Sequence, residues 1–296
     1  MKRILALALL VCVCVSMAGC KVLDYKKAAD LYEEGQYAQA LEIYRALGDY
    51  ADSAAMANIC WQKADYEAAE KLFAAGTYDQ ALPLYEGLGM YSDSPIKAIR
   101  CRYEIGVAYL AAGEYAQAIQ WLGALGGYED CQDQTHLARW LWLSQSRHTV
   151  VLKDEADSFQ ALSLEPQADG SLRILLENDS MLLGLPYETE FVMVIARNNP
   201  KAAYSVRYYS HGDTTLEENA AGIAELPALG AGSALVPTSV SRIITHPDGT
   251  QTVSRTMGDT VMIRVVMAEV LPQVLENLPT LLEKSGADIT MKDLGF

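Results

Sequence analysis

The chain has 296 residues, a formal net charge of −15 and 51% hydrophobic residues. This length predicts two domains, and the apolar content is sufficient for a core in each. The acidic balance argues against nucleic-acid binding and against attachment to anionic lipid through a basic patch, because both need a basic surface. It is typical of a well-solvated acidic surface, or of an acidic patch that recruits a basic partner.

The N-terminus has the layout of a secretory signal peptide. Lys2 and Arg3 precede an uncharged apolar run over residues 4–15, which small residues follow. The run is shorter than the roughly 20 apolar residues that a membrane span requires. We therefore predict a signal peptide over residues 1–19.

The end of this segment carries a second signal. Met17-Ala18-Gly19-Cys20 resembles the lipobox of bacterial lipoproteins, with an apolar residue, two small residues and a cysteine. The resemblance implies cleavage before Cys20 and lipidation of its thiol, with residues 20–24 as a short tether. Several acyl chains anchor a protein stably, so it implies a position on the outer side of the cytoplasmic membrane, on the extracellular face or in the periplasm. The alternative is an ordinary signal peptide cut nearby, which leaves Cys20 free.

A motif of the form Gly-x-Tyr-x-x-Ala occurs three times after the tether. The glycines are spaced 41 and then 37 residues apart, which is typical of a helical solenoid. Each glycine is expected to end a helix in the left-handed conformation, and each alanine allows close approach of the neighbouring helix. The repeated packing residues are Gly35, Tyr37, Ala40, Gly76, Tyr78, Ala81, Gly113, Tyr115 and Ala118.

Further repeated positions flank the motif. We expect Ser53 and Ser94 to act as helix N-caps, with Asp130 in the corresponding role. No Gly or Pro interrupts residues 54–75, so a long helix is predicted there. Three tyrosines follow a Leu-Gly pair and either line a surface or pack under the next long helix; they are Tyr50, Tyr91 and Tyr128.

The third copy resembles the tetratricopeptide (TPR) repeat. Its residues at that family's helix-packing positions are Gly106, Tyr109, Gly113, Tyr115 and Ala118. The resemblance covers about 120 residues, although the period is longer than in that family and the closing Pro is absent. It implies a TPR-like α-solenoid of three units over residues 25–147 that binds a protein or peptide on its concave face.

The cysteines of the repeat region indicate neither a disulfide framework nor a metal site. Cys60 and Cys101 occupy the same position in successive repeats, so both are predicted to be small buried side chains. Cys131 lies further along, and no Cys-x-x-Cys occurs. After it, Trp140 and Trp142 are predicted to seal the end of the repeats against the second domain.

Alternating apolar residues in the second half predict an antiparallel sheet. The predicted strands are residues 159–164, 172–176, 189–196, 203–210, 240–245, 251–256 and 261–266. Residues 212–237 are predicted as a loop or as a pair of short elements. Leucines at helical spacing follow over residues 271–282, where Pro279 kinks the helix or begins a new one after Asn277. The prediction for residues 148–296 is an α+β domain with a C-terminal helix, in which we recognise no family.

The sequence carries no strong catalytic signature. Its four histidines include His136 on a repeat helix and His148 in the linker. His211-Gly212-Asp213 and His246-Pro247-Asp248 are typical of turns, although the two His-x-Asp pairs could meet as metal ligands or as a base and its orienting group. Nucleophile-elbow, phosphate-loop and zincin motifs are absent from the sequence.

These patterns predict a lipid-anchored interaction or scaffold protein rather than an enzyme. We expect no cofactor, no metal and no nucleic acid, with an unknown protein or peptide as partner. An envelope enzyme with its site around His211 and His246 is the first alternative. A solute-binding lipoprotein with a deep pocket between lobes is the second.

Overall fold

We describe a computed structural model of the chain, which covers residues 21–155, 158–182, 185–232, 235–256 and 261–296. Cys20 and the signal segment lie outside the described residues. The helices are residues 21–33 (α1), Tyr37–Leu47 (α2), Ser53–Ala74 (α3), Tyr78–Leu88 (α4), Ser94–Ala111 (α5), Tyr115–Gly123 (α6), Cys131–Leu143 (α7), Leu226–Gly230 (α8), Val261–Ser285 (α9) and Met291–Leu294 (α10). The strands are His148–Glu155 (β1), Ser158–Pro166 (β2), Leu172–Leu182 (β3), Leu185–Ile195 (β4), Lys201–Ser210 (β5), Thr215–Glu225 (β6), Ser239–Thr245 (β7) and Gln251–Thr256 (β8).

The fold class is confirmed at a coarse level. Seven helices in the described chain precede an antiparallel sheet, and a helix follows the sheet near the C-terminus. The uninterrupted helix predicted for residues 54–75 is α3. Contacts divide the chain into two compact units, one of residues up to Ala111 with Ala124–Tyr128, and one of Ala112–Gly123 with Glu129–Phe296.

The predicted N-caps of α3 and α5 are wrong. Ser53 and Ser94 are the first residues of their helices, both fully buried, and neither hydroxyl has a hydrogen-bond partner within the described residues. Asp52 is the N-cap residue of α3 but makes no side-chain capping bond. Asp130 is the N-cap residue of α7, as predicted, again without a capping bond from its side chain. The Asp52 carboxylate instead accepts a hydrogen bond from Tyr25 in α1, two helices earlier in the chain.

The sheet is an eight-stranded meander in which each strand pairs with its sequence neighbour. The order is β1 to β8, and every pair is antiparallel. Short connections allow this order, because antiparallel neighbours need only a hairpin turn. Asp169-Gly170 forms one such turn, with Gly170 at φ +81°.

One face of the sheet forms the core of the second unit. Alternate residues such as Phe191, Met193 and Tyr204 point to this face and are buried. Helix α9 packs against it through Val274, Leu278 and other residues at helical spacing. The opposite face is called the open face below.

In the second half one prediction is wrong, and one of two alternatives is excluded. Residues 261–266 begin helix α9 rather than a strand, since the β-branched run continues without a break into the helical pattern that packs on the sheet. Helix α9 also runs through Pro272 and Pro279, so no new helix begins after Asn277.

Strand β6 and helix α8 occupy the region predicted as a loop or a pair of short elements. β6 buries Ala220 and Ala224 on the core face, with Gly222 between them. These small residues give little hydrophobic signal, so the sequence pattern did not reveal an eleven-residue strand. His148 is likewise the first residue of β1 rather than part of a linker.

Candidate functional site

The repeated motif residues are positioned as parts of the helical packing. Ala40, Ala81 and Ala118 are completely buried. Gly35, Gly76 and Gly113 have φ of +78°, +74° and +79° just before α2, α4 and α6. Tyr37 packs edge-on against Tyr32 of the preceding helix, with 5.4 Å between ring centroids, and Tyr78 packs in the same way against Phe73 at 5.3 Å. Tyr115 is half-buried.

The tyrosines around the motif form joints between helices. Tyr25 donates a hydrogen bond to Asp52 and Tyr66 donates one to Asp93, each at 2.5 Å, across the same 27-residue separation. The hydrogen bond to Asp93 and partial burial raise the pKa of the Tyr66 hydroxyl. Tyr50, Tyr91 and Tyr128 pack edge-on against Tyr25, Tyr66 and Tyr103 at 6.0, 5.7 and 5.9 Å between ring centroids. These tyrosines therefore pack, while partly exposed, but their ring partners lie on the preceding long helix of each unit and not on the next one as predicted.

A polar cluster in the middle of the helical region also has internal partners. Buried Tyr85 donates a hydrogen bond of 2.6 Å to Glu70, and Lys97 lies 3.1 Å from the same carboxylate. Burial, with the hydrogen bond to Glu70, raises the pKa of Tyr85. The Lys97 ammonium also lies 4.5 Å from the centroid of the Phe73 ring. These charges are satisfied internally.

The cysteines of the described chain are buried and unpaired. Cys60 and Cys101 are fully buried, as their shared repeat position predicts, and so is Cys131. Burial raises the pKa of Cys101 to about 11, which keeps the thiol protonated and unreactive at neutral pH.

The histidines have separate local partners. The His211 ring packs edge-on against Tyr209 at 4.5 Å, and His246 shares a hydrogen bond with Thr252 at 3.1 Å. His136 lies 3.9 Å from Asp293. Within the described ranges no three His, Cys, Asp or Glu side chains are grouped so that they could hold a metal ion. In the same ranges, no helix is both long and apolar enough to span a bilayer.

Trp140 belongs to the core of the second unit. It is 3% exposed, and its indole N–H donates a hydrogen bond of 3.1 Å to the carbonyl of Gly170 in the β2–β3 turn. Trp142 packs beside this core while remaining partly exposed. Helix α7 is thereby fixed to the sheet.

A groove of about 620 Å³ crosses the open face of the sheet over β4 to β8. A row of five residues in register runs along it, one from each strand. The row is Glu190, Arg207, Asn219, Ser241 and Arg255. The volume lies within the range of small-ligand and peptide sites, although the groove is open to solvent.

Strand alternation positions the row on the open face. Arg207 lies between Val206 and Tyr208, whose buried side chains point to the core, so its own side chain points away from it. The floor beside the row consists of small side chains, Ser205, Ala221 and Ser239. Small residues on three adjacent strands leave the space that forms the groove.

The two arginines of the groove have no partner in the described part of the protein. Arg207 and Arg255 are exposed, and neither makes an ion pair or a side-chain hydrogen bond there. Glu190 is the direct cross-strand neighbour of Arg207, yet the two side chains do not form an ion pair. Asn219 donates to Glu217 at 2.8 Å. We take this groove as the candidate site.

Sequence reasoning did not identify these residues. Alternation over residues 203–210 placed Arg207 on the polar face of a strand, but it gave no neighbours on other strands. The row requires the register of four strand pairs, and β6 was not predicted as a strand. The available signal was an exposed arginine near small residues, Arg207 near Ser205 in β5 and Arg255 beside Ser254 in β8.

Comparison of the chain with protein-family models, with curated proteins and with solved structures found no match.

Proposed function

We propose that this protein is an exported, lipid-anchored binding protein that acts as an interaction or scaffold module on the outer side of the cytoplasmic membrane. The signal peptide and the lipobox ending at Cys20 support the anchor. The helical region is proposed to be a TPR-like solenoid. Three Gly-x-Tyr-x-x-Ala copies, alternating long and short helices and repeated tyrosine joints support this assignment.

The groove on the open face is the observation that carries the binding role. The repeated residues of the helices contact one another, and their polar groups have internal partners. The groove instead presents Arg207, Arg255 and small hydroxyl side chains to solvent. Exposed arginines with few internal bonds are typical of surfaces that bind a partner.

Anchoring is tested by expressing the full chain and a Cys20→Ser variant in a bacterium. Labelled palmitate is expected to be incorporated into the wild-type chain, which should fractionate with membranes. The variant should incorporate no label and should leave the membrane fraction. Equal labelling of both chains would contradict the lipid anchor.

The binding role is tested by crosslinking the anchored protein in intact cells. We expect a reproducible crosslinked partner for the wild-type chain and a weaker band for the Arg207→Gln/Arg255→Gln double variant. Arg45→Gln, an exposed arginine on α2, is the control that removes one charge elsewhere. Crosslinks that do not depend on the groove would indicate that another surface binds the partner.

A further inference from the structure

We propose that the groove binds an extended, acidic peptide segment that crosses β4 to β8. The segment has a basic residue, an acidic residue two positions later and a second acidic residue four positions after that. This inference rests on the groove being the recognition surface of the proposed binding protein, and it names the chemistry of the partner.

The arginines of this face indicate an anionic partner. Arg147 lies 3.1 Å from Glu165, and Arg173 lies 2.5 Å from the same carboxylate. At the other end of the same face, Arg207 and Arg255 have no such partner in the described chain. The protein has 38 acidic and 23 basic residues, so acidic partners for arginine are abundant in it. Two arginines left unpaired in one groove are therefore positioned for carboxylates that arrive from outside.

The spacing of the arginines fits an extended chain. Arg207 and Arg255 lie on β5 and β8 in one register row, three strand spacings apart. Three spacings amount to about 14 Å. In an extended peptide, residues i and i+4 are about 13 Å apart and point to the same side. Two acidic side chains at this separation can reach both guanidinium groups at once.

Glu190 sets the direction of the peptide. It lies one strand beyond Arg207, at the end of the row opposite Arg255. In an extended peptide, a basic residue two positions before the first acidic residue lies about 7 Å from it. Glu190 and Arg207 are one strand spacing, about 5 Å, apart. The flexible side chains of Lys and Glu can make up the difference between these two distances. A peptide bound in the reverse direction, with both acidic residues on the arginines, would place its basic residue beyond Arg255 and out of reach of Glu190.

The floor of the groove suits a peptide better than a uniform polyanion. Ser205, Ser239 and Ser241 can exchange hydrogen bonds with neutral backbone amides. A polyphosphate or an anionic membrane surface would place negative charge along this uncharged floor and against Glu190. The net charge of −15 also repels a polyanion at long range. These features favour a protein segment with two spaced carboxylates.

The occupant is a different protein rather than a second copy of this chain. The required pattern is Lys or Arg at i, Asp or Glu at i+2, and Asp or Glu at i+6. No segment of the 296 residues contains it.

The test uses the full chain and two dye-labelled heptapeptides of identical composition. The first, acetyl-Lys-Thr-Glu-Thr-Ser-Thr-Glu-amide, carries the proposed spacing. The second, acetyl-Lys-Thr-Glu-Thr-Ser-Glu-Thr-amide, moves the last acidic residue by one position and so to the opposite side of an extended chain. Binding is measured by fluorescence anisotropy at low and at physiological salt. We expect the first peptide to bind at least tenfold more tightly, since each lost charge-assisted pair weakens binding by roughly 10- to 100-fold.

Variants locate the binding within the groove. Arg207→Gln and Arg255→Gln are each expected to weaken binding of the first peptide at least tenfold, while Arg45→Gln leaves it unchanged. Arg255→Glu should abolish binding, and a peptide with Lys in place of its last Glu should restore it to that variant. This rescue cannot come from a misfolded protein, and unchanged melting temperatures provide a second check.

Several results would overturn the inference. They are equal binding of both peptides, no measurable binding of either, and no effect of the arginine variants. Polyphosphate or phosphatidylglycerol vesicles that bind through both arginines, while the peptides do not, would show that the groove recognises a polyanion instead. A chain that is acylated and crosslinks its partner through the groove, but ignores both peptides, would overturn this inference and leave the proposed function intact.

Discussion

The two ends of the open face use arginine in opposite ways. At the β1–β3 end, Arg147 and Arg173 both contact Glu165, and Arg147 also donates a hydrogen bond of 3.1 Å to buried Ser163. At the β4–β8 end, Arg207 and Arg255 face solvent over a floor of small residues.

The difference separates stability from recognition on one face of the sheet. Arginines with internal carboxylates hold strands together and are unavailable to a ligand. Arginines without them contribute little to folding and remain available to a partner. The same substitution is therefore expected to have opposite consequences at the two ends.

The largest expected effect concerns the core beneath the groove. A Cβ added at Gly222 would lie 2.6 Å from the Tyr204 ring across the strand pair, so Gly222→Ala forces the ring to move. We expect a loss of about 2–3 kcal/mol in the free energy of unfolding. The measurement is urea unfolding followed by circular dichroism.

Ile223→Ala is the control for this substitution. Ile223 is the next residue of β6 and is 67% exposed, so its truncation should change stability by less than about 0.5 kcal/mol. If Gly222→Ala were equally mild, the core beneath the groove would be loosely packed around Tyr204.

A matched pair of glutamates tests the comparison directly. Glu165→Gln removes the carboxylate from Arg147 and Arg173 and is expected to destabilise the chain by about 2 kcal/mol. Glu190→Gln, the same change at the groove, should alter the free energy of unfolding by less than about 0.5 kcal/mol. Hydrogen exchange in β2 to β4 measures both effects. Equal losses at the two positions would remove the distinction between the two ends.

A matched pair of serines gives a smaller difference. The Ser163 hydroxyl is buried and bonded to Arg147 and to Thr149, at 3.1 and 2.9 Å. Ser163→Ala should reduce the free energy of unfolding by about 1 kcal/mol. Ser205→Ala in the groove should leave the free energy of unfolding unchanged. It should weaken binding of the peptide, because the hydrogen bond between the Ser205 hydroxyl and the peptide is lost. Thermal unfolding and anisotropy separate the two outcomes.

The smallest effect is a pH dependence at the β1 end. Partial burial lowers the pKa of His148, so the unfolded chain binds a proton more readily than the folded chain. Stability due to this group is complete above the unfolded value of about 6.5, and it is lost as pH falls through the lower folded pKa. Wild type should therefore lose more stability than His148→Gln between pH 7.5 and the mildly acidic range. An imidazole NMR titration midpoint at or above 6.5 would contradict this sign.

The helical region was the most readable part of the sequence. Its signals are local, because Gly35 and Gly76 end helices and an uninterrupted run without Gly or Pro forms α3. Its errors were also local. Ser53 was predicted as a cap from its residue type, but the neighbouring Asp52 holds the cap position and directs its carboxylate to Tyr25.

The sheet was readable only where large residues alternate. Tyr204, Val206 and Tyr208 identified β5. β6 was not identified, because Ala220, Gly222 and Ala224 give little hydrophobic signal; Gly222 leaves room for the Tyr204 ring on the neighbouring strand. Residues 261–266 have high strand propensity, yet they begin a helix whose later turns pack on the core face.

The sequence by itself determined the helical repeat, the sheet class of the second half and the prediction of an anchor at Cys20, since each depends on neighbours within a few residues or on a fixed period. Only the tertiary structure decided which charges are paired. Arg173 and Arg207 occupy similar outward positions on their strands. Strand register places a glutamate opposite each, Glu165 and Glu190, yet only the Arg173–Glu165 pair forms an ion pair. Register joins residues from five strands into the groove, and no local pattern in the chain carries that information.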